Sequence, residues 1–517
     1  MRMECIRLLS QERNSMYCFV NGRYKRILSI LIIMSTMSFA AKDTQKVKVY
    51  PAPEGIELSS DFTVIVEGQQ VPVYKTKVPP AGPIPRLTRS LSEFGFASFA
   101  SFDMRASVDV TITCPKPVKS IKILPTSFHI VPKVHDKTIT ITIDKPKHVT
   151  VEVNGDWQES LHIFANPFEA NAPAPDDPDV VYFGPGVHEI TSLSVGDNKT
   201  VYLAGGAYIR CGMDPDEKPE QVGQSKMLLT TFTLGGKNIT FCGRGIIDQS
   251  AIPRAKRRYS LLVHDSEDVT IEGVIFLDPS RWTVPIKRSD NIHVDNIKII
   301  GWRGNSDGVD ISSSRDVLVE NCFMRTLDDL VVVKTRTGQG EAKNIHVRKC
   351  VLWNELAHAL SIGAEVRENV SNVLFEDCDV IHDVGRETAL RIYHCDDAVI
   401  RDVTFQNIRV EEARRLISLW IGKTRWTKTE ERGHIQNVVF RDITAVSAPI
   451  DPTLTGFQDG SDWKPYIIKD HASMELVGFD ESHIVEDVLF DNVVLDGRKV
   501  TAEHVTMNEF VRDIQFE

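Results

Sequence analysis

Three aspartates stand out by type and spacing. Asp307 lies in Asn305-Ser306-Asp307-Gly308-Val309-Asp310, and the pair Asp328-Asp329 runs straight into Leu330-Val331-Val332-Val333. Carboxylates beside an apolar run are costly unless their charge is used. Asp307 precedes Asp328 by 21 residues, close to one turn of a repetitive β structure, and that spacing stacks the three on one face. Such a cluster suits hydrolysis of a glycosidic bond. Crowded like charges raise the pKa of one carboxyl, which can then protonate the leaving oxygen, while the others activate a water. His358, in Ala357-His358-Ala359, follows one repeat later, and Arg391, in Leu390-Arg391-Ile392-Tyr393, one repeat after that. Their phase sets both beside the carboxylates, the His to tune the acid or hold a hydroxyl and the Arg to bind a carboxylate or hydroxyl. Asp310 and Asp316 read instead as turn or ladder residues, where Asp is common.

The elements that position these groups are repeats. From Ile239 to Val269, Ile292, Val317, Ile345, Val373, Val399, Val438 and Val488 the intervals are 30, 23, 25, 28, 28, 26, 39 and 50 residues. Each copy alternates apolar β-formers with polar residues, as in Val317-Leu318-Val319-Glu320-Asn321-Cys322. A period in the twenties with that alternation is one coil of a right-handed parallel β-helix, whose coils bury their inward side chains only by stacking. The two long intervals predict loops near Thr424–Glu431 and Pro452–Pro465. Cys322, Cys350 and Cys378 recur at 28 and 28 residues, so they read as an inward ladder rather than a zinc site, whose paired ligands are two to four apart.

Ahead of the repeats, residues 41–165 carry alternating strands (Phe62–Val66, Val108–Ile112, Ile139–Ile143, Val149–Val153) broken by Pro and Gly, which predicts a β-sandwich. A Pro-rich stretch, 166–179, links it to a solenoid over 180–517. Residues 1–40 read as a signal peptide. Arg23, Lys25 and Arg26 precede the apolar run Ile27–Met34, and small residues follow, with cleavage expected after Ala40. Met1–Asn21 is long for the front of such a leader, and Met16 offers an alternative start. The mature chain is expected to be soluble, secreted or periplasmic, off the membrane and monomeric. Seven cysteines follow the leader, an odd number that argues against a dense disulfide framework. The 60 Lys+Arg against 71 Asp+Glu give −11, which excludes a generic nucleic-acid binder, and no cofactor or metal is expected.

Taken in order, Asn305-Ser306-Asp307, Asp328-Asp329, Ala357-His358-Ala359 and Arg391-Ile392-Tyr393 resemble glycoside hydrolase family 28, the polygalacturonases. That family is marked by Asn-x-Asp, Asp-Asp, Gly-His-Gly and Arg-Ile-Lys segments. The resemblance runs best over 180–410 and implies an inverting hydrolase of an α-linked polysaccharide, pectic galacturonan or rhamnogalacturonan first. It implies Asp328 as general acid and Asp307 and Asp329 as the residues that position and deprotonate the water. His358 would support the acid, and Asn305, Arg391, Tyr393 and Lys334 would contact substrate. Two departures matter. Alanines flank His358, and Tyr393 stands where the family has a Lys that helps hold the galacturonate carboxylate; Lys334, Arg336, Arg303 and Lys287 are the candidates to replace it. The sandwich, with Ile163–Phe168, Val201–Tyr208 and the tail Asn492–Thr501, resembles glycoside hydrolase family 49, dextranase-type enzymes that cut neutral α-glucans with three aspartates. A polysaccharide lyase that uses the Asp cluster for calcium and a non-catalytic binding solenoid stay open as other classes. Trp282, Trp302, Trp353 and Trp426 are candidate sugar-stacking residues.

Overall fold

The computed structural model describes residues 45–80, 93–214, 216, 229–253, 256–383, 385, 387–448, 455–457, 465–467 and 473–517. The expected leader and most of the Pro452–Pro465 interval lie outside them. Lys46–Glu517 forms one compact unit. The regular elements of the described residues are strands apart from two short 3₁₀ turns, and no helix among them is long and apolar enough to cross a membrane.

A sandwich comes first. A six-stranded sheet built around Gly95–Met104 and Asp156–Pro167 faces a five-stranded sheet built around Val108–Thr113 and Thr138–Ile143. Val64, Val66, Val110, Ile112, Ile139, Ile141, Val149 and Ile163 fill the space between them. All four strands expected from the alternation are present.

From Val180 onward the chain winds into a right-handed parallel β-helix of three strands per coil. Lys237–Gly243, Glu267–Glu272, Asp290–Asp295 and Arg315–Glu320 begin a first face, paired residue for residue. Ile246–Asp248, Ile275–Leu277, Lys298–Ile300 and Phe323–Thr326 form a second. An 11-stranded parallel sheet that includes Val284–Lys287, Val309–Ser312, Val331–Lys334, Leu360–Ala364 and Leu390–His394 is the third. First-face strands alternate buried and part-exposed residues, as the sequence alternation requires. The inward column of that face runs Phe241, Ile271, Val294, Val319, Val347, Phe375, Phe405, Phe440, Phe490, Phe516. Its last five rings stack at 4.8–5.2 Å. Phe405→Ala would open a void in the middle of this stack and should cost about 3–5 kcal/mol, read as a lowered denaturant midpoint at unchanged m-value.

The structure corrects the repeat at one point. Val373 pairs with Val403, not Val399, and Val403 with Val438, so the intervals there are 403 − 373 = 30 and 438 − 403 = 35. Cys322, Cys350 and Cys378 form the expected buried ladder as free thiols, each donating to the backbone oxygen two residues before it. Asp316 is a ladder residue, an irregular position near the start of the strand Arg315–Glu320. Its backbone is left-handed (φ 54°) and it accepts from Asn344 Nδ2 at 2.8 Å, while Asn372 bonds Asn344 in the next coil.

The sandwich lies on the second face. Tyr74, Val78, Phe99 and Phe164 pack against Ile275, Ile300, Phe323, Val351 and Trp353. Buried polar pairs cross the same junction: Arg244 with Asp103 at 3.0 Å, and Lys298 with Asn166. Arg325 reaches Ser160 of the sandwich and pairs with Glu355 at 2.8 Å.

Candidate active site

Strand alternation in the third face decides which side chains meet. Val309, Ile311, Val331, Val333, Leu360, Ile362, Leu390 and Ile392 belong to the core. The residues between them, Asp310, Ser312, Val332, Lys334, Ser361, Arg391 and Tyr393, therefore project from the outer side of the sheet. Register stacks Asp310, Val332, Ser361 and Arg391 in one column. The turns entering these strands stack as well: Gly308 N–H donates to Asp329 O (2.8 Å) and Leu330 N–H to His358 O (2.9 Å). Gly308 allows the approach, because a Cβ there would lie 2.3 Å from Leu330 O.

These turns and strands line a cleft of about 350 Å³ that holds Asn305, Asp307, Asp328, Asp329, Lys334, His358 and Tyr393. One oxygen from each of Asp307, Asp328 and Asp329 lies within 4.8 Å of the other two. Asn305, in a left-handed conformation (φ 63°), donates its backbone N–H to Asp328 Oδ2 at 3.1 Å, and Asp329 N–H donates to Asp328 Oδ1 at 3.2 Å.

Lys334 is the electrostatic centre. Its Nζ lies 2.7 Å from Asp310 Oδ1, 3.4 Å from Asp307 Oδ2 and 3.7 Å from Asp329 Oδ2, and 4.2 Å from the centre of the Trp282 ring. Burial opposes its charge, but Asp310, Asp307 and Asp329 outweigh that and hold the ammonium well above the ordinary lysine range. Burial, with the charges of Asp310 and Asp328, raises Asp307 well above the usual carboxylate range, against the pull of Lys334. Burial likewise pushes Asp310 up to about 7 despite Lys334. Three carboxylates this close could chelate a cation, but the Lys334 ammonium already supplies positive charge to two of them. A second acidic cluster, His293, Asp295 and Glu320, is satisfied by Arg348 and Asn321.

His358 Nδ1 donates to Thr388 O at 2.8 Å, which fixes the ring. Its Nε2 then faces Glu387 Oε2 at 2.9 Å, Arg391 Nη1 at 3.1 Å and Asp329 Oδ1 at 4.0 Å. Arg391 is fully buried, lies 3.8 Å over the Tyr393 ring and reaches Glu387 at 3.3 Å. The alanines flanking His358 are buried without exposure.

The structure thus brings together Asn305, Asp307, Asp328, Asp329, Lys334, His358, Arg391 and Tyr393. Of the proposed lysine substitutes, Arg336 lines the cleft, while Arg303 pairs with Asp278 and Lys287 reaches Tyr259. Trp282 and Trp426 line it too, but Trp302 packs on Leu327 and Leu356, and Trp353 on the sandwich. Asp310 corrects the turn reading: it is a fully buried strand residue bound to Lys334. Glu387, Glu365, Arg257 and Arg281 also line the cleft and carried no motif that would have marked them.

The sequence profile of Glycosyl hydrolases family 28 matches residues 187–464, more than half of the chain. The chain is 26% identical over 191 residues to an endo-polygalacturonase of Pectobacterium carotovorum subsp. carotovorum, covering 35% of this chain and 45% of the relative. It is 25% identical over 218 residues to a polygalacturonase of Juniperus ashei, covering 40% and 41%, so it spans less than half the length of these relatives. In fold it is similar to Dex49A from Penicillium minioluteum, with a TM-score of 0.61 at 14% identity over 90% of this chain and 96% of that one. An exopolygalacturonase from Thermotoga maritima gives 0.50 at 16% identity over 65% and 83%. With its four motifs gathered in one cleft and more than half its length matched, the chain belongs to glycosyl hydrolases family 28.

Proposed function

We propose that the protein is an exported hydrolase of a uronate-bearing, α-linked polysaccharide of the pectic kind, acting by inversion. The observation that carries the substrate is the cleft wall. Arg257, Arg281 and Arg336 line the cleft together with the aspartates, cations suited to sugar carboxylates. Arg281 Nε is buried with no hydrogen-bond partner among the described residues, and Arg257 reaches Asn305 at 3.1 Å. These arginines take over the carboxylate-binding work of the lysine that Tyr393 replaces.

In the mechanism, Asp328 protonates the leaving oxygen while Asp307 and Asp329 orient and deprotonate the water. The carboxylate spacing is shorter than that which ordinarily accompanies inversion. Two of the three carboxylates share the Lys334 ammonium, and a neutralised carboxylate is a weak nucleophile but still orients a water. The anomer formed first therefore tests the assignment: NMR during hydrolysis of an α-linked substrate should show the β product first, and the α product would establish retention. Export rests on the basic, apolar and small-residue segments of 23–40.

Polygalacturonate, rhamnogalacturonan, dextran and pullulan, scored by reducing ends and product size, test the substrate. A pectic polymer should be cut fastest. Arg281→Gln and Arg336→Gln should each raise KM on it about tenfold or more with kcat nearly unchanged, as loss of a charged hydrogen bond to substrate does. Preference for dextran, the outcome that the likeness to family 49 would favour, would overturn the pectic reading.

A further inference from the structure

The third face continues past the cleft toward the start of the solenoid, in the strand Val284–Lys287. Register sets Lys287 beside Ser312 and Ser312 beside Lys334, so the three form one column on the outer side of the sheet. Two strand spacings put the Lys287 and Lys334 backbones about 10 Å apart along the solenoid. Beside this column lies an aromatic pair. Tyr259 and Trp282 stack with ring centres 5.8 Å apart at 22°, and three cations lie against them. Lys334 Nζ is 4.2 Å from the centre of the Trp282 ring, and Lys287 Nζ is 4.6 Å from that of Tyr259 and 5.6 Å from that of Trp282. The Arg281 guanidinium is 5.4 Å from the centre of Tyr259.

These cations differ in what balances them. Lys334 has Asp310, Asp307 and Asp329. Arg336 and Arg288 face Glu365 at 3.6 Å and Asp265 at 2.5 Å. Lys287 and Arg281 make no ion pair among the described residues. The half-buried Lys287 donates from Nζ to Tyr259 Oη at 3.2 Å, a neutral acceptor. Its neighbour on the preceding strand, His264, is turned to Asp265 at 3.0 Å. Burial, then the charge of Arg336, pushes the Lys287 ammonium down to about 7, with Arg281 and Arg288 adding to the repulsion and Asp310 opposing it. Asp310 is itself engaged by Lys334 at 2.7 Å. The two rings offset part of the cost of this charge, but an amide or thioether in its place would cost less. A cation kept without a counter-ion at the edge of a cleft points to an anion that arrives with the ligand.

The kind of anion follows from the neighbours that Lys287 shares with the cleft. Arg281, Trp282 and Arg336 line the cleft and also act on Lys287. A polymer whose scissile bond lies over the aspartates, and which runs along the column, brings its next residues toward Lys287. A carboxylate on one of them supplies the missing counter-charge, and a neutral sugar does not. We propose that Lys287 is a specificity-determining residue that holds a second carboxylate of the substrate chain, beyond the sugars at the reacting bond. This position rests on the pectic reading of the cleft and extends it, because the enzyme then selects a chain with at least two uronates.

Calorimetric titration of Asp328→Asn with a galacturonate tetramer tests this without turnover. At about pH 8 free Lys287 has largely lost its proton, and a bound carboxylate draws one back. Binding should therefore take up about half a proton or more, seen as an enthalpy that differs between two buffers of unlike ionisation enthalpy. Adding Lys287→Gln should weaken binding about tenfold and remove this uptake. Adding Lys287→Arg should hold affinity within a few-fold, because the guanidinium stays charged, and should remove the uptake as well. An uptake lost in both variants belongs to Lys287 and not to Asp310, which titrates in the same range. Lys287→Gln alone should melt at or above the wild-type temperature, since an unbalanced charge is gone. Equal tetramer affinity with and without Lys287→Gln would overturn the proposal, and so would an uptake that survives in Lys287→Arg. A steep fall in the melting temperature of Lys287→Gln would overturn it too, by making the lysine a structural element. Absence of galacturonate binding in all three proteins would instead overturn the pectic reading and this position with it, whereas binding indifferent to Lys287 overturns this position alone.

Discussion

Asp328→Asn should lower turnover by about 10²–10⁴-fold, as loss of a general acid does, while substrate still binds. That range corresponds to about 3–5 kcal/mol of transition-state stabilisation. The substitution keeps the shape of the side chain. The Asn305 and Asp329 backbone N–H groups bond different Asp328 oxygens, so the amide oxygen accepts from one of them and the amide nitrogen opposes the other, a loss of about 1–3 kcal/mol for an unsatisfied buried donor. Stability should fall by no more than that, and substrate affinity, measured directly by calorimetry, should hold. Turnover within tenfold of wild type would remove Asp328 from the acid role.

Lys334→Met should act on two readouts together. Its ammonium is the partner of Asp310 and lies against Asp307 and Asp329. Removing it leaves buried carboxylates uncompensated, a change that costs about 3–5 kcal/mol in buried pairs, so the melting temperature should fall steeply. The pH profile should move as well, and its direction follows from linkage. Burial and neighbouring acids already raise Asp307, and Lys334 pulls it back. Without the lysine, Asp307 keeps its proton to higher pH, and a base that is protonated cannot activate water. The acidic limb of kcat/KM should thus shift upward by about one unit or more, the size of effect an opposite charge at this distance has. A purely structural lysine would lower stability and leave the limb in place, and that result would refute the electrostatic role. Lys334→Arg keeps the charge and should restore the limb in part.

Much of this site was legible in the chain. The four motifs name residues that the coils do bring into one cleft, because a solenoid converts sequence period directly into spatial stacking. What escaped was Asp310, on the outer face of the third sheet. Val309-Asp310-Ile311 alternates in the same phase as Val333-Lys334 and Leu390-Arg391-Ile392, so strand phase alone would have moved Asp310 from a turn to the side of Lys334. Glu387 and Arg281 lie in turns, where no period constrains direction, and only the folded chain shows that they face the aspartates. The copy at Val399 was misplaced for a related reason: Val399 and Val403 lie on one long strand, Val399–Ala413, and both fit the alternation.

The close approach of Asp307 to the Asp328–Asp329 pair has a consequence for how such a catalyst can change. The groups come from neighbouring coils, which are spaced by strand pairing at about 4.8 Å, and the turn that carries Asp307 is tied to the Asp328–Asp329 turn by the Gly308 N–H to Asp329 O bond. The distance between the proposed acid and base is thus metered by the pitch of the backbone and is not free to drift with side-chain choice. Loops at the coil edges can lengthen, shorten or change charge to suit new sugars without disturbing that ruler, whereas an inserted or deleted coil residue beneath the cleft would put the reacting groups out of step at once.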